Sequence, residues 1–282
     1  MIIDAHNSII PWDEEACQTL FPEKFLNLFR PCSYENILRQ MDQLNIDRLI
    51  TWVVAARPEL STLCNDWTAR IRDRNPDRLI GFCCVHPAQL GEALKEVERA
   101  VSHLGLSGLK LHPQVQGISM ADPKLLALVQ EANRLNVPVV LHVNPPLWED
   151  YQSLEKERSI EQERLQFIPE DFLDMGGSDF SHPRHLKEVI SVYPSNKVMS
   201  AHMGGCFFKE AIESKISFQT TGASKRTIEW ACKNLGAHRV IFGTDFPFFE
   251  MEDELAKVGA AALSKEEREK VLSENILSIL EK

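Results

Sequence analysis

Apolar and polar residues alternate along this chain in two rhythms. Short β-rich runs, several of them continuously apolar, occupy residues 2–6, 48–54, 78–85, 108–112, 137–143, 197–202, 216–220 and 240–244. Val137-Pro138-Val139-Val140-Leu141 is representative, and such an apolar run suits a strand covered on both faces. Stretches with helical spacing separate the runs. Ser33 is placed to cap a helix over 34–44, whose Ile37, Leu38, Met41 and Leu44 share one face. A second, over 58–75, ends before Asn75-Pro76, because the residue preceding proline avoids the helical region. Further helices are predicted over 89–104, 122–136, 183–193, 224–235 and 251–263. Ser264-Lys265-Glu266-Glu267 forms a capping box for a last one.

Eight strands alternating with helices predict an α/β chain folded as one (β/α)8 TIM barrel, a single domain over residues 1–282. The alternative, an open doubly wound sheet, usually carries a glycine-rich phosphate loop after its first strand. Here Asp4-Ala5-His6-Asn7-Ser8 follows instead, with no GxGxxG. Residues 144–181 break the rhythm, being long, polar and without an obvious strand. This segment reads as an insertion after strand 5: a lid with short helices around 151–166 that brings Trp148 or Phe167 near the mouth.

A formal net charge of -10, with no basic stripe to offset it, argues against a nucleic-acid partner. It leaves an anionic small molecule open, since a pocket's local field can oppose the net charge. Cys17, Cys32, Cys64, Cys83, Cys84, Cys206 and Cys232 form no CxxC pair, and nothing resembling a secretory signal surrounds Met1-Ile2-Ile3-Asp4. They read as reduced thiols of a cytoplasmic protein. No apolar run approaches the roughly 20 residues of a membrane span.

Polar residues gather at the C-terminal ends of the predicted strands, where barrel active sites form. Strand 1 ends in Asp4-Ala5-His6, strand 4 in Lys110-Leu111-His112, strand 5 in Leu141-His142-Val143-Asn144, strand 6 in Ala201-His202-Met203 and strand 8 in Thr244-Asp245-Phe246. Imidazoles and a carboxylate converging on one mouth suit zinc or a similar divalent ion. Lys110 and His112 stand as substrate contacts beside them, with Asn144 at the rim. Arg57, after strand 2, is placed to clamp a substrate carboxylate, although a surface salt bridge is the commoner fate of a loop arginine.

With these pieces in order, the chain resembles the amidohydrolase superfamily. The resemblance is to its amidohydrolase-related branch, which holds aminocarboxymuconate semialdehyde decarboxylase-like enzymes together with lactonases and other hydrolases. It is carried by Met1-Ile2-Ile3-Asp4-Ala5-His6, Gly108-Leu109-Lys110-Leu111-His112-Pro113, Val140-Leu141-His142, Ser200-Ala201-His202-Met203-Gly204-Gly205 and Ile241-Phe242-Gly243-Thr244-Asp245-Phe246-Pro247. The resemblance implies a divalent ion held by His6, His142 and Asp245, with His202 as a further ligand or as a group that polarises the substrate and assists proton transfer. It implies Asp245 as general base, and it suggests a homo-oligomer. One departure stands out. The family's paired strand-1 histidines are here His6-Asn7-Ser8, a hydroxyl replacing the second imidazole. His6, His142, His202 and Asp245 can complete a four-ligand shell, His112 can swing in, or the site binds no metal.

Three functions follow from this reading. The first is a metal-dependent hydrolase of a lactone, amide or ester, with Asp245 as base and His202 on the oxyanion. The second is a non-oxidative decarboxylase of an unsaturated or aromatic acid, clamped by Arg57, Lys110 and the metal. The third is a metal-free barrel that binds a small molecule without turnover.

Overall fold

In a computed structural model of the chain, residues 1–9, 33–143, 180–204, 206 and 209–281 are described. The expected insertion over 144–181, including Asn144, Trp148 and Phe167, lies outside these residues except for Phe180 and Ser181. No helix among the described residues is long and apolar enough to cross a membrane.

The strands are β1 (Ile3–Ser8), β2 (Arg48–Trp52), β3 in two pieces (Leu79–Gly81 and Cys83–Cys84), β4 (Leu109–Leu111), β5 (Val139–Leu141), β6 (Val198–Ser200), β7 (Ser217–Gln219) and β8 (Val240–Ile241). Each lies in one of the predicted runs, and neighbours pair in parallel in chain order. β3 divides at Phe82 because its first piece pairs with β2 and its second with β4. The turn of the ring is completed between β1 and the chain around β8. There Ala5 N–H donates to Phe242 O at 3.0 Å, Asp245 N–H donates to His6 O at 2.7 Å, and Asn7 bridges Phe246 in parallel.

Alternation along the strands sorts side chains into two layers. Leu109, Leu111, Val139, Leu141, Val198, Phe218 and Val240 belong to one apolar cluster together with helix residues such as Val97, Leu128 and Ile228. The intervening positions Val140, Met199 and Ile241 join Phe82 and Cys84 in the second cluster. Lys110 and Gln219 share this second register, paired with Val140 and Ile241 respectively. An ammonium and an amide are thus threaded into an otherwise apolar lining.

The helices follow their sequence signals. Tyr34–Leu44 is capped by Ser33, whose hydroxyl accepts from Asn36 N–H at 3.3 Å. Its Ile37 and Met41 are buried as the spacing predicts. Asp122 caps Pro123–Arg134 through Lys124 N–H at 2.8 Å, and the Ser264 capping box is complete.

Candidate active site and metal centre

The two acids of the site are fixed by the joining of β1 to β8. Asp4 is fully buried and its Oδ1 accepts from His6 N–H (3.0 Å) and Thr244 N–H (2.9 Å), while Oδ2 accepts from the Thr244 hydroxyl at 2.6 Å. His6 and the Thr244-Asp245 turn are thereby held on one carboxylate. A Cβ on Gly243 would stand 2.8 Å from the His6 Cβ, so the absence of a side chain there lets β8 approach His6. Asp245 (φ 58°) and His202 (φ 56°) both adopt left-handed backbone, a conformation that redirects a side chain at a strand end and gathers at functional sites.

Around this anchor four imidazoles and a lysine meet. His6 Nε2 lies 3.4 Å from Asp245 Oδ1 and 3.5 Å from Lys110 Nζ. His202 Nε2 lies 3.7 Å from Asp245 Oδ2 and 3.2 Å from His142 Nδ1. His112 stacks on His142 with ring centroids 3.9 Å apart, its Nδ1 capping the short helix Pro113–Gln116. Trp52 packs edge-on against His6 at 4.8 Å, and Lys110 Nζ lies 4.8 Å from the same indole.

Burial governs the charges. It pushes the Asp245 carboxyl up to about 8 against the pull of Lys110, and Asp4 up to about 7 against its hydrogen bonds. It pushes Lys110 down to about 8 against the attraction of Asp245. His202 falls to about 3 through burial and then Lys110, and His6, His112 and His142 are also held well below the usual range. All four rings are therefore neutral at neutral pH and able to offer lone pairs.

A divalent ion fits this donor set. Ligand atoms of His6, His202 and Asp245 lie within 4.8 Å of one another, and all three residues are buried. Among the described residues the Asp245 carboxylate is met by two imidazole edges and by no backbone or amide N–H. Lys110 is a positive group near that acid, but the acid's oxygens keep lone pairs without hydrogen-bond donors, which a divalent cation would fill.

The structure brings together His6, Lys110, His112, His142, His202 and Asp245 as the sequence predicts. His142, half-buried beside His202, is not one of the three residues of the tightest cation cluster. Arg57 is not part of the group: its guanidinium, half-exposed, pairs with Glu59 at 3.4 Å. Ser8 is buried at the end of β1. Sequence reasoning missed Gln219, whose Oε1 lies 2.7 Å from His6 Nδ1, and gave no role to Thr221, whose hydroxyl meets His202. The available signal for Gln219 was a polar residue at an inward position of a strand.

Two relatives and one solved structure compare with this chain as follows. A 2-amino-3-carboxymuconate-6-semialdehyde decarboxylase of Dictyostelium discoideum is 32% identical over 85 residues, 30% of this chain and 23% of that protein's length. A gamma-resorcylate decarboxylase of Rhodococcus jostii (strain RHA1) is 25% identical, with 83% of each protein covered. The crystal structure of a dihydroxybenzoic acid decarboxylase from Polaromonas sp. JS666, with bound manganese and the inhibitor 2-nitroresorcinol, superposes with a TM-score of 0.71. It has 18% identity and covers 99% of this chain and 96% of that one, which shows a common TIM-barrel fold.

These findings correct the hydrolase expectation, since all three similar proteins are decarboxylases. The reason for the misreading is physical. Histidines and an aspartate at strand ends serve both chemistries, so these residues alone do not choose between them. Zinc has no support of its own here; the solved neighbour holds manganese. The amidohydrolase family model matches residues 3–281, and the chain belongs to that family of enzymes.

Proposed function

We propose that this chain, acting as one domain over residues 1–282, is a metal-dependent non-oxidative decarboxylase of a small aromatic or unsaturated carboxylic acid. The observation that carries the reading is Lys110, a fully buried ammonium with Nζ 3.5 Å from His6 Nε2 and 4.8 Å from the Trp52 ring. A cation beside an indole and a metal-type donor set suits a flat acid: carboxylate toward charge, ring toward Trp52.

His6 and Asp245 would hold the divalent ion, with His142 as a further imidazole in reach and His202 kept for the proton. An ion held there would supply Lewis-acid stabilisation for a substrate carboxylate. Lys110 offers its ammonium to the same carboxylate, and His112 packs behind His142 and fixes that ring. Decarboxylation then breaks the bond between ring carbon and carboxyl carbon. CO2 departs, the electron pair stays on the ring carbon, and one proton replaces the lost group. His202 Nε2, facing the interior beside Asp245, is the group placed to deliver that proton. Asn144, outside the described residues, and Arg57 are proposed as outer contacts of the substrate.

The test is direct. Protein loaded with Mn2+ is given a panel of hydroxylated benzoates, gamma-resorcylate first, and unsaturated dicarboxylates. CO2 release is followed, with product formed in D2O expected to carry one deuteron at the former carboxyl-bearing carbon. The absence of CO2 release from every acid in the panel would overturn the proposal.

A further inference from the structure

β7 and the residues after it read Ser217-Phe218-Gln219-Thr220-Thr221, and two of these side chains each grip one imidazole of the site. Gln219 is completely buried, and both ends of its amide are committed. The amide N–H donates to the Ala5 carbonyl at 2.8 Å and lies 3.9 Å from Met199 Sδ, so the oxygen is the end left for His6. Oε1 stands 2.7 Å from His6 Nδ1, and an acceptor there requires the imidazole proton on Nδ1. A neutral imidazole has one such proton. His6 Nε2 is therefore a bare lone pair, facing Asp245 and Lys110.

Thr221 imposes the opposite arrangement. Its buried hydroxyl oxygen accepts from the His202 backbone N–H at 2.9 Å. The hydroxyl's own proton needs an acceptor, and His202 Nδ1, 3.3 Å away, is the one found among the described residues. Donation to Nδ1 places the His202 proton on Nε2, pointing toward His142 Nδ1 at 3.2 Å. The reverse assignment leaves a buried hydroxyl proton with no acceptor, an arrangement folded proteins avoid.

We propose that Gln219 and Thr221 are positioning residues that give the two imidazoles opposite tautomers, so that His6 presents a lone pair to a divalent cation and His202 presents a proton. The use of that proton rests on the decarboxylase reading; the two tautomers and their effect on cation binding do not. The pair thus divides one histidine cluster into a ligand side and a proton-donor side.

The experiment uses the full chain labelled with 15N-histidine. Two-bond 1H–15N spectra of the metal-free protein are expected to show His6 protonated at Nδ1 and His202 at Nε2. Mn2+ affinity is read separately by electron paramagnetic resonance of the free ion. Gln219→Leu should release the His6 tautomer and weaken Mn2+ binding by about 10- to 100-fold, the usual effect of losing a partner that orients a ligand. Gln219→Glu keeps the acceptor, with its second oxygen protonated toward Ala5 O, and should restore both tautomer and affinity. Thr221→Val should shift the His202 tautomer and slow product formation while leaving Mn2+ affinity at the parent value. Should Gln219→Leu not fold, Gln219→Met removes the amide oxygen with an unbranched chain of similar size and carries the same expectation. An unchanged His6 spectrum and Mn2+ affinity in the variant lacking the amide would overturn the proposal. So would a loss of Mn2+ affinity in Thr221→Val equal to that in Gln219→Leu, which would make His202 a ligand. If no acid on the panel is decarboxylated but the spectra and affinities behave as stated, the positioning holds and the decarboxylase reading fails.

Discussion

Two buried carboxylates, each close to a cation, have opposite surroundings. Glu96, on the helix Leu90–Ser102, accepts from Arg99 Nε (2.8 Å) and Nη2 (2.9 Å), from Asn65 Nδ2 (2.8 Å) and from the Thr62 hydroxyl (3.2 Å). Burial pushes its carboxyl upward, but these donors outweigh burial and hold it below the ordinary range. Asp245, at the barrel mouth, is met by imidazole edges at 3.4 and 3.7 Å, and burial carries its carboxyl up to about 8. Glu96 has its lone pairs filled and ties helices together. Asp245 is left with capacity to spend on something that arrives. Buried charge by itself does not mark a functional acid; buried charge short of donors does.

The sharpest break between the two comes from charge-removing substitutions. Asp245→Asn is expected to abolish tight Mn2+ binding and lower CO2 release by about 10²- to 10⁴-fold, with the thermal midpoint nearly unchanged. Parallel metal titration and melting would check this, and a large drop in melting temperature would move Asp245 to the structural side. Glu96→Gln should do the reverse. It removes one of the two charged acceptors of Arg99, the other being Asp66, and should cost about 1–3 kcal/mol in urea unfolding, with Mn2+ affinity unaltered.

A pH series tests the same contrast with no mutation. Because the Asp245 carboxyl is raised, its proton is retained below about 8 and must leave when a cation binds. Mn2+ affinity should therefore rise by about tenfold per pH unit up to about 8 and flatten above it. A flat profile from pH 6 to 9 would show that the acid is already ionised. The smallest expected effect concerns two buried thiols. Cys83 and Cys84 are buried, burial raising the Cys84 thiol to about 11, and both should resist thiol reagents at pH 8 until the protein unfolds.

Much of this architecture was legible in the sequence because local chemistry and global fold agree. The apolar run of β5, the Ser33 cap and the Ser264 box each state their element within a few residues. His6, Lys110, His202 and Asp245 were legible because a barrel collects what stands at its strand ends. Gln219 was not, since a glutamine between Phe218 and Thr220 acquires its meaning from an imidazole 213 positions away. Trp52 gave a related difficulty: in β2 it reads as one more apolar strand residue, and only the closed ring sets its indole against His6 and Lys110. The separation of Arg57 from the group was equally invisible, because nothing local fixes where a loop arginine points. The hydrolase expectation failed for another reason: the residues that two chemistries share cannot choose between them.

Asp4 has a consequence for how the molecule comes into being. Its hydrogen bonds to Thr244 join residues 240 positions apart, and they hold the same turn that presents Asp245. Loop-closure entropy makes such a contact one of the slowest to be made. During synthesis His6 therefore leaves the ribosome well before the strand that completes its surroundings, and the nascent chain has no formed cation site for most of its elongation. On the metal-dependent reading proposed above, ion capture would be a late event, coupled to the seam that Asp4 fastens, and metal loading would report on the completion of folding itself.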